Sequence, residues 1–288
     1  MIKILKYFFQ AFFIYLIFLL IKILGLNISR KFFSIIFKKY GSFFKSTQII
    51  NSNLNKVFSK NDEFKKEIIN EMWKNYGMTF VEYIFLNDFK KNNNHIKING
   101  LENLKKIIST NKPVIFISGH FANYELMCME LTRAGVKVAS IYRPLNNFFI
   151  NPLMEHLRRK NVCKNQIKKG MKGIKESVNY IKKGYSIALM VDQRVSEGEK
   201  IPFFGYGALT TTIPAQFAIK YNCEIVPINL MRNKDNTFEM TVLDSIKINK
   251  KLSRERNKNQ ITLNINKIIE QIILKNPGQW IWTHNRWK

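Results

Sequence analysis

Acidic side chains and cysteines are the scarce ingredients of this chain. Only 20 Asp and Glu stand against 47 Lys and Arg, a net charge of +27 over 288 residues. A surplus of that size implies an anionic partner: nucleic acid, an anionic membrane surface, or a phosphorylated or acidic substrate. Richness in Lys, Asn, Ile and Phe also fits an AT-rich coding sequence, so part of the surplus is compositional. The three cysteines, Cys128, Cys163 and Cys223, are odd in number, far apart and without a Cys-x-x-Cys spacing. That pattern suits neither a disulfide framework nor a zinc site, and points to core or surface thiols in a reducing cytosol. No internal repeat, low-complexity tract or long linker divides the chain. RNP, helix-turn-helix and zinc-finger patterns are missing too. A basic, membrane-associated nucleic-acid-binding protein is therefore the weaker of the readings that the charge permits.

One hydrophobic run is long. Tyr7 to Ile21 is apolar except for Gln10. Counted to Leu26 it covers about 20 residues, or roughly 30 Å as a helix, enough to cross a bilayer core. Lys22 sits where a long side chain can snorkel to the interface. Lys3 and Lys6 precede the run as in a signal peptide, but the segment from Gly25 to Arg30 is a poor cleavage site, so an uncleaved anchor is expected. Lys22, Arg30, Lys31, Lys38 and Lys39 outweigh Lys3 and Lys6, which places the body of the protein in the cytoplasm.

Next comes a candidate interfacial helix at residues 30–45. Phe32, Phe33, Ile36, Phe37, Tyr40, Phe43 and Phe44 share one face, with Arg30, Lys31, Lys38, Lys39 and Lys45 largely on the other. An ordinary core-packing helix is the alternative. A further helix is expected over residues 62–87, capped by Asn61 or Asp62. From residue 95 strands alternate with helices. Strands are predicted at 113–118, 136–141, 185–191, 224–230 and 237–243, and helices at 101–109, 121–134, 147–160, 171–183, 212–221 and 253–275. That alternation predicts an α/β domain with a mostly parallel central sheet. The expected organisation is an anchor helix (1–26), an interfacial and helical segment (27–94) and a catalytic domain (95–288).

In such sheets the site lies beyond the carboxyl ends of the strands. His120, Arg143 and Asp192 each follow a predicted strand closely. His120 ends the run Val114–Ile117 through Ser-Gly-His, and Glu125 follows in a helix-like segment. Inside one regular helix the two would point about 140° apart. His120 is therefore placed in the turn, freed by Gly119, with Glu125 in the first turns of the helix. There a carboxylate can hold one imidazole nitrogen and leave the other to take a proton. A structural histidine after a buried strand is the competing reading. Arg143, restrained by Pro144, suits bidentate holding of phosphate or carboxylate. Asp192 has three readings: a partner for Arg143, a ligand for a substrate hydroxyl, or a turn cap. The loop Ile201-Pro-Phe-Phe-Gly205 either lines an acyl-sized groove or tucks into the core. Thr210-Thr-Thr-Ile-Pro214 opens a helix whose N-terminus is an anion site in principle. The tail from Pro277 to Lys288 interleaves three Trp with His284, Arg286 and Lys288, which suits a membrane interface, base stacking, or packing onto the domain.

Five blocks, in order, resemble the bacterial lipid A late acyltransferases, the lauroyl and myristoyl transferases of lipopolysaccharide synthesis. They are Gly119-His-Phe-Ala-Asn-Tyr-Glu125, Tyr142-Arg-Pro144, Asp192-Gln193, Pro202-Phe-Phe-Gly205 with Thr210, and Trp280-Ile-Trp-Thr-His-Asn-Arg-Trp-Lys288. The resemblance implies the glycerolipid-acyltransferase-like α/β fold. It implies transfer of a fatty acyl chain from acyl carrier protein, or from acyl-CoA, to a hydroxyl of a lipid A precursor. His120 would be the general base and Glu125 the residue that orients it. Arg143, Asp192, Gln193, Asn123, Phe203, Phe204 and Arg286 would bind substrate. Direct attack on the thioester calls for no cofactor, metal or covalent enzyme intermediate. The implied partners are acyl carrier protein, an anionic glycolipid and the inner membrane, with the catalytic domain on its cytoplasmic face. A related acyltransferase acting on a glycerolipid or aminolipid is the alternative.

Overall fold

The apolar N-terminal run has no proline or glycine to interrupt it, and in the computed structural model it forms one helix, α1 (Ile2–Leu24). Gly25, at φ 78°, breaks the helix and starts α2 (Leu26–Phe44). The structure describes residues 2–59, 61–249 and 252–288; the side chain of Phe44, expected on the aromatic face, lies outside the described set. Then come α3 (Thr47–Val57) and α4 (Asp62–Glu82). Asn61 caps α4 by accepting from the Phe64 N–H at 3.1 Å. A 3₁₀ turn at Tyr83–Phe85 leads into α5 (Leu86–Lys91).

The rest alternates: β1 (Ile96–Asn99), α6 (Leu101–Thr110), β2 (Val114–Ser118), α7 (Glu125–Arg133), β3 (Val138–Tyr142), α8 (Asn151–Asn161), β4 (Asn165–Lys168), α9 (Met171–Lys182), β5 (Ser186–Met190), β6 (Glu199–Phe203), β7 (Tyr206–Thr210), α10 (Ile213–Tyr221), β8 (Glu224–Arg232), β9 (Phe238–Val242) and α11 (Arg254–Lys275). Seven strands form one sheet in the order β1-β9-β8-β2-β5-β3-β4. All neighbours are parallel except β8 and β9. This is the α/β architecture with a mostly parallel sheet that the alternation predicts.

Strand alternation divides the core. Ile115 and Ile117 of β2 join one buried cluster with Ile187, Leu189 and Ile225, covered by α10, α11 and the Trp-rich tail. Val114 and Phe116 point the other way, toward Leu126, Met127 and Leu131 of α7. The three cysteines are buried thiols.

Two expectations need correction. Ile201–Gly205 is a hairpin, β6 and β7, and no longer a loop. Phe204 and Gly205 both have positive φ, 51° and 76°, as a tight two-residue hairpin turn requires. The single glycine hid that turn. The aromatic face of α2 is also divided. Phe33 is buried and Phe37 stacks on Tyr76 of α4, whereas Phe32, Tyr40 and Phe43 are exposed. Arg30, expected among the solvated lysines, is buried.

Candidate active site

Strands β2 and β5 lie side by side in register, Ser118 opposite Met190. Two residues beyond each strand stands a polar side chain, His120 or Asp192, so neighbouring strand ends bring the pair together. His120 Nδ1 lies 2.8 Å from Asp192 Oδ1, and the His120 backbone N–H donates to Asp192 Oδ2 at 3.0 Å. The Trp280 indole N–H donates to the same oxygen at 2.8 Å. Asp192 is 2% exposed. Burial opposes its charge, but His120 and the hydrogen bonds from His120 and Trp280 outweigh it and hold the carboxyl down at about 2. A carboxylate accepts only, so Nδ1 carries the proton and Nε2 is the nitrogen able to take another.

The imidazole's partner is thus Asp192; the expected contact with Glu125 is not formed. Glu125 is the first residue of α7, and its Oε1 accepts from Arg158 Nε and Nη2 at 2.8 and 2.6 Å and from the Tyr83 hydroxyl at 2.8 Å. A cation on α8 draws the carboxylate away from the histidine. Burial works against the Arg158 charge, yet Glu125 more than compensates and raises its pKa. The Tyr83 and Tyr124 hydroxyls lie 3.0 Å apart, and the Tyr124 ring meets His120 edge-on at 4.7 Å.

The turn after His120 is held from two sides. Ala122 has φ 44°, an unfavourable region for a residue with a Cβ. Thr79 Oγ1 donates to its carbonyl, and its own N–H donates to the Gln279 carbonyl, each at 3.1 Å. The Gln279 side chain is itself bonded to the Arg232 backbone N–H and carbonyl. Asn123 Nδ2 donates to Glu82 Oε2 at 3.0 Å. Glu82, fully buried, also accepts from Arg30 Nε at 2.7 Å and from both Nη atoms of Arg232. Arg232 Nη2 reaches Thr79 Oγ1 at 3.2 Å. A buried carboxylate with two arginines thereby ties the His120 turn to α2, α4 and β8.

An apolar cavity of about 280 Å³ adjoins this turn. Ala122, Tyr124, Tyr83, Arg158, Ile14 and Phe18 are among its walls. Arg158, the partner of Glu125, forms part of its wall, and its volume lies at the small end of ligand pockets, roughly 300–1,000 Å³. Larger clefts of about 420 and 460 Å³ are lined by more polar residues that do not include the His120 turn. The C-terminal tail returns to the site through a bridge between Phe121 and Trp280. Asn53 holds it there by donating to the carbonyls of Trp282 and His284. His284 interacts electrostatically with Asp192, His120, Arg286 and Arg143, and its buried Nδ1 has no hydrogen-bond partner among the described residues. Burial, opposed by Asp192 and reinforced by the neighbouring cations, lowers its pKa to about 4.

The sequence profile of the bacterial lipid A biosynthesis acyltransferases matches residues 1–288. The chain belongs to this family. It is 25% identical over 248 residues to the lipid A biosynthesis palmitoleoyltransferase of Escherichia coli strain K12, covering 83% of this chain and 78% of the relative. The match to the lipid A biosynthesis acyltransferase of Shigella flexneri has the same identity and coverage. This protein is therefore an acyltransferase of lipid A biosynthesis.

Several residues expected to bind substrate in this acyltransferase are placed elsewhere. Asn123 is 1% exposed and spends its amide on Glu82. The hydrogen bonds of Asp192 come from His120 and Trp280, and none from Arg143 is present among the described residues. Phe203 is fully buried against Trp280, Trp287 and Arg286, and is a core residue. Its neighbour Phe204 is half-buried and also meets Trp287. Arg286 is fully buried, donating to Leu209 O and Thr210 Oγ1. Arg143 is exposed beyond β3, and Gln193 is half-buried beside Asp192. Arg194 donates to the Lys288 carbonyl at 3.1 Å. The sequence reading missed Arg158, Tyr83, Glu82 and the Trp280–Asp192 bond. Arg158 had left a trace, lying four residues after Met154 and one after Leu157 on the otherwise apolar side of its helix.

Proposed function

We propose that His120, oriented by Asp192, is the general base for transfer of a fatty acyl chain to a hydroxyl of a lipid A precursor. The donor is an acyl thioester, carried by acyl carrier protein. The acceptor oxygen attacks the thioester carbonyl carbon while its proton passes to His120 Nε2. The C–S bond then breaks, and the leaving thiolate takes that proton from the imidazolium. Asp192 holds the Nδ1–H tautomer and balances the transient charge. Glu125 acts through Arg158: the ion pair sets a guanidinium in the wall of the apolar cavity, beside the reacting centre, where developing negative charge is stabilised. The cavity receives acyl chain, and exposed Arg143 meets anionic headgroup or donor. The helix α1 keeps the enzyme at the cytoplasmic side of the inner membrane.

The observation that carries this reading is the Nδ1–Oδ1 contact of 2.8 Å at adjoining strand ends. The test is acyl transfer by the detergent-purified protein, with acyl-carrier-protein and CoA thioesters compared on a lipid A precursor. His120→Ala is expected to lower kcat by roughly a hundred- to ten-thousand-fold, with the thermal midpoint retained. Unchanged turnover in that variant would end the assignment. Mass spectrometry of lipids from a deletion strain separates acceptors: loss of one acyl chain from lipid A supports the proposal, and a change confined to phospholipids or aminolipids opposes it.

A further inference from the structure

The parallel strands β2, β5, β3 and β4 run side by side, so their carboxyl ends share one edge of the sheet. Along that edge stand, in order, His120, Asp192, Arg143 and the pair Lys168–Lys169. The Lys169 N–H donates to the Tyr142 carbonyl at 2.8 Å, which seats Lys169 beside Arg143. At roughly 4.8 Å between strands, β4 lies about 14 Å from β2. From Lys169 the chain turns at Gly170, φ 126°, into α9. Met171 opens that helix and is 76% exposed, an apolar side chain set between Lys169 and Lys172. Residues 156–175 hold eight Lys and Arg and no Asp or Glu, more than double the chain's density of 47 in 288. Lys168 pairs with Glu155 at 3.2 Å. Arg143, Lys169, Lys172 and Lys175 are exposed and form no ion pair among the described residues.

Lysines on an edge strand discourage pairing with another chain. Lys169, Met171 and Lys172 lie beyond the end of β4, so edge protection does not account for them, nor for an apolar side chain left in water. An apolar centre within a charged rim is the anatomy of a protein-docking surface, and methionine adapts its shape to a partner. A membrane is the other anionic surface that suits such a cluster. The packing favours a partner in solution. Ile174, Val178 and Ile181 of α9 join the cluster of Ile115 and Ile117 on one face of the sheet. The apolar helix α1 packs against Met154 of α8, and Leu157 of α8 joins the cluster of the opposite face. The start of α9 therefore stands on the face away from the contact between α1 and α8. A second basic surface, with Lys106, Lys112 and Lys247 around a cleft of about 460 Å³, lies at the amino ends of β2 and β8, the far end from His120.

We propose that the surface formed by Arg143, Lys169, Met171 and Lys172 docks the acidic carrier protein that delivers the acyl thioester. The lysines steer the encounter and meet carboxylates of the partner at the rim, while Met171 fills the apolar centre. The thioester travels at the end of a flexible arm, so the body of the carrier needs only to stand near His120. A seat about 14 Å along the strand-end edge meets that need. Arg143 lies between this seat and Asp192, where a guanidinium can hold the phosphate of the arm. The inference rests on the acyl-transfer reading above and adds to it the place where the donor binds.

Steady-state kinetics of the detergent-purified full-length protein test it, with acyl-carrier-protein and CoA thioesters of one acyl chain. Lys169→Glu with Lys172→Glu reverses two charges in the surface. Lys106→Glu with Lys112→Glu reverses two exposed charges at the far end of the sheet and controls for net charge. The expected result is a rise of about ten-fold or more in KM for the carrier-protein donor in the first variant alone. Its kcat, and its KM for the CoA donor, should stay within about two-fold of the parent. Equal rises in both variants mean attraction by the basic molecule as a whole and overturn the proposal, as does an unchanged KM; the acyl-transfer reading survives either result. A matching rise with CoA assigns the lysines to phosphate common to both donors, and a rise confined to the lipid acceptor assigns them to lipid; each overturns the docking surface. A parent enzyme that uses the CoA thioester but no carrier-protein thioester overturns both the proposal and the donor named above. Benzophenone attached at Met171→Cys gives an independent readout, because the native thiols are buried. Photo-crosslinking to the carrier protein is expected there and not at Lys106→Cys, and equal yields at the two positions overturn the proposal.

Discussion

Asp192 determines what His120 can do, because both of its oxygens face the His120 turn and its charge is stabilised there. Asp192→Asn preserves shape but removes the obligate acceptor at Nδ1. It is expected to lower kcat by roughly a hundred-fold or more with little change in KM, measured by steady-state acyl transfer. Asn123 acts at one remove: Asn123→Ala leaves the Glu82–arginine pairs intact and frees the turn whose Ala122 sits at φ 44°. A fall in kcat of about ten-fold or more, with KM held and the pH profile displaced, is the expected outcome; 1 Å of misplacement can cost about a hundred-fold. An unchanged pH profile would reduce Asn123 to a packing role. His284 sets an acid limb of stability. The unfolded chain takes a proton there near 6.5, whereas the folded chain resists until about 4. The unfolded state therefore holds more protons in that window, and stability is full above 6.5 and declines as pH falls toward 4. Asp192, lowered from 3.8 to about 2, adds a further loss only below about 3.8. Thermal melts of His284→Asn should show a flatter dependence between pH 6.5 and 4 than those of the parent.

At the scale of the element, the α2–α4 contact links the N-terminal helices to the His120 turn. A Cβ on Gly77 of α4 would stand 2.4 Å from the Phe33 carbonyl oxygen of α2, so backbone would have to move. Gly77→Ala is expected to cost about 1–3 kcal/mol through overpacking and to weaken the Arg30–Glu82 pair. Denaturant unfolding in detergent checks the stability, and a parallel loss of kcat checks the link to the turn. How legible these elements were depended on where their hydrogen bonds and apolar contacts came from. Strands β2, β3, β5, β8 and β9 were readable because their apolar runs are buried in the sheet. Short β1 and β4 at the two edges, and the β6–β7 hairpin with Phe204 in a left-handed conformation, were not, because pairing rather than composition creates them. Glu125 was readable at the start of its helix but not in its partner, since the helix start that positions it says nothing about which cation waits on α8.

For the whole molecule, charge governs encounter. With a net charge of +27, KM for an acidic carrier-protein donor should rise with ionic strength, as the screening length falls from about 30 Å at 0.01 M to about 3 Å at 1 M. The CoA donor should respond less, and kcat little for either; initial rates across a salt series read this directly. By itself, the sequence determined the α/β alternation, the long apolar helix, the basic surplus and the place of His120 just beyond a strand, because periodicity, run length and strand-end position are local properties. Tertiary structure decided the rest. Which carboxylate serves His120 depended on β2 and β5 being neighbours, and whether Phe203 and Arg286 face substrate depended on the fold of the tail.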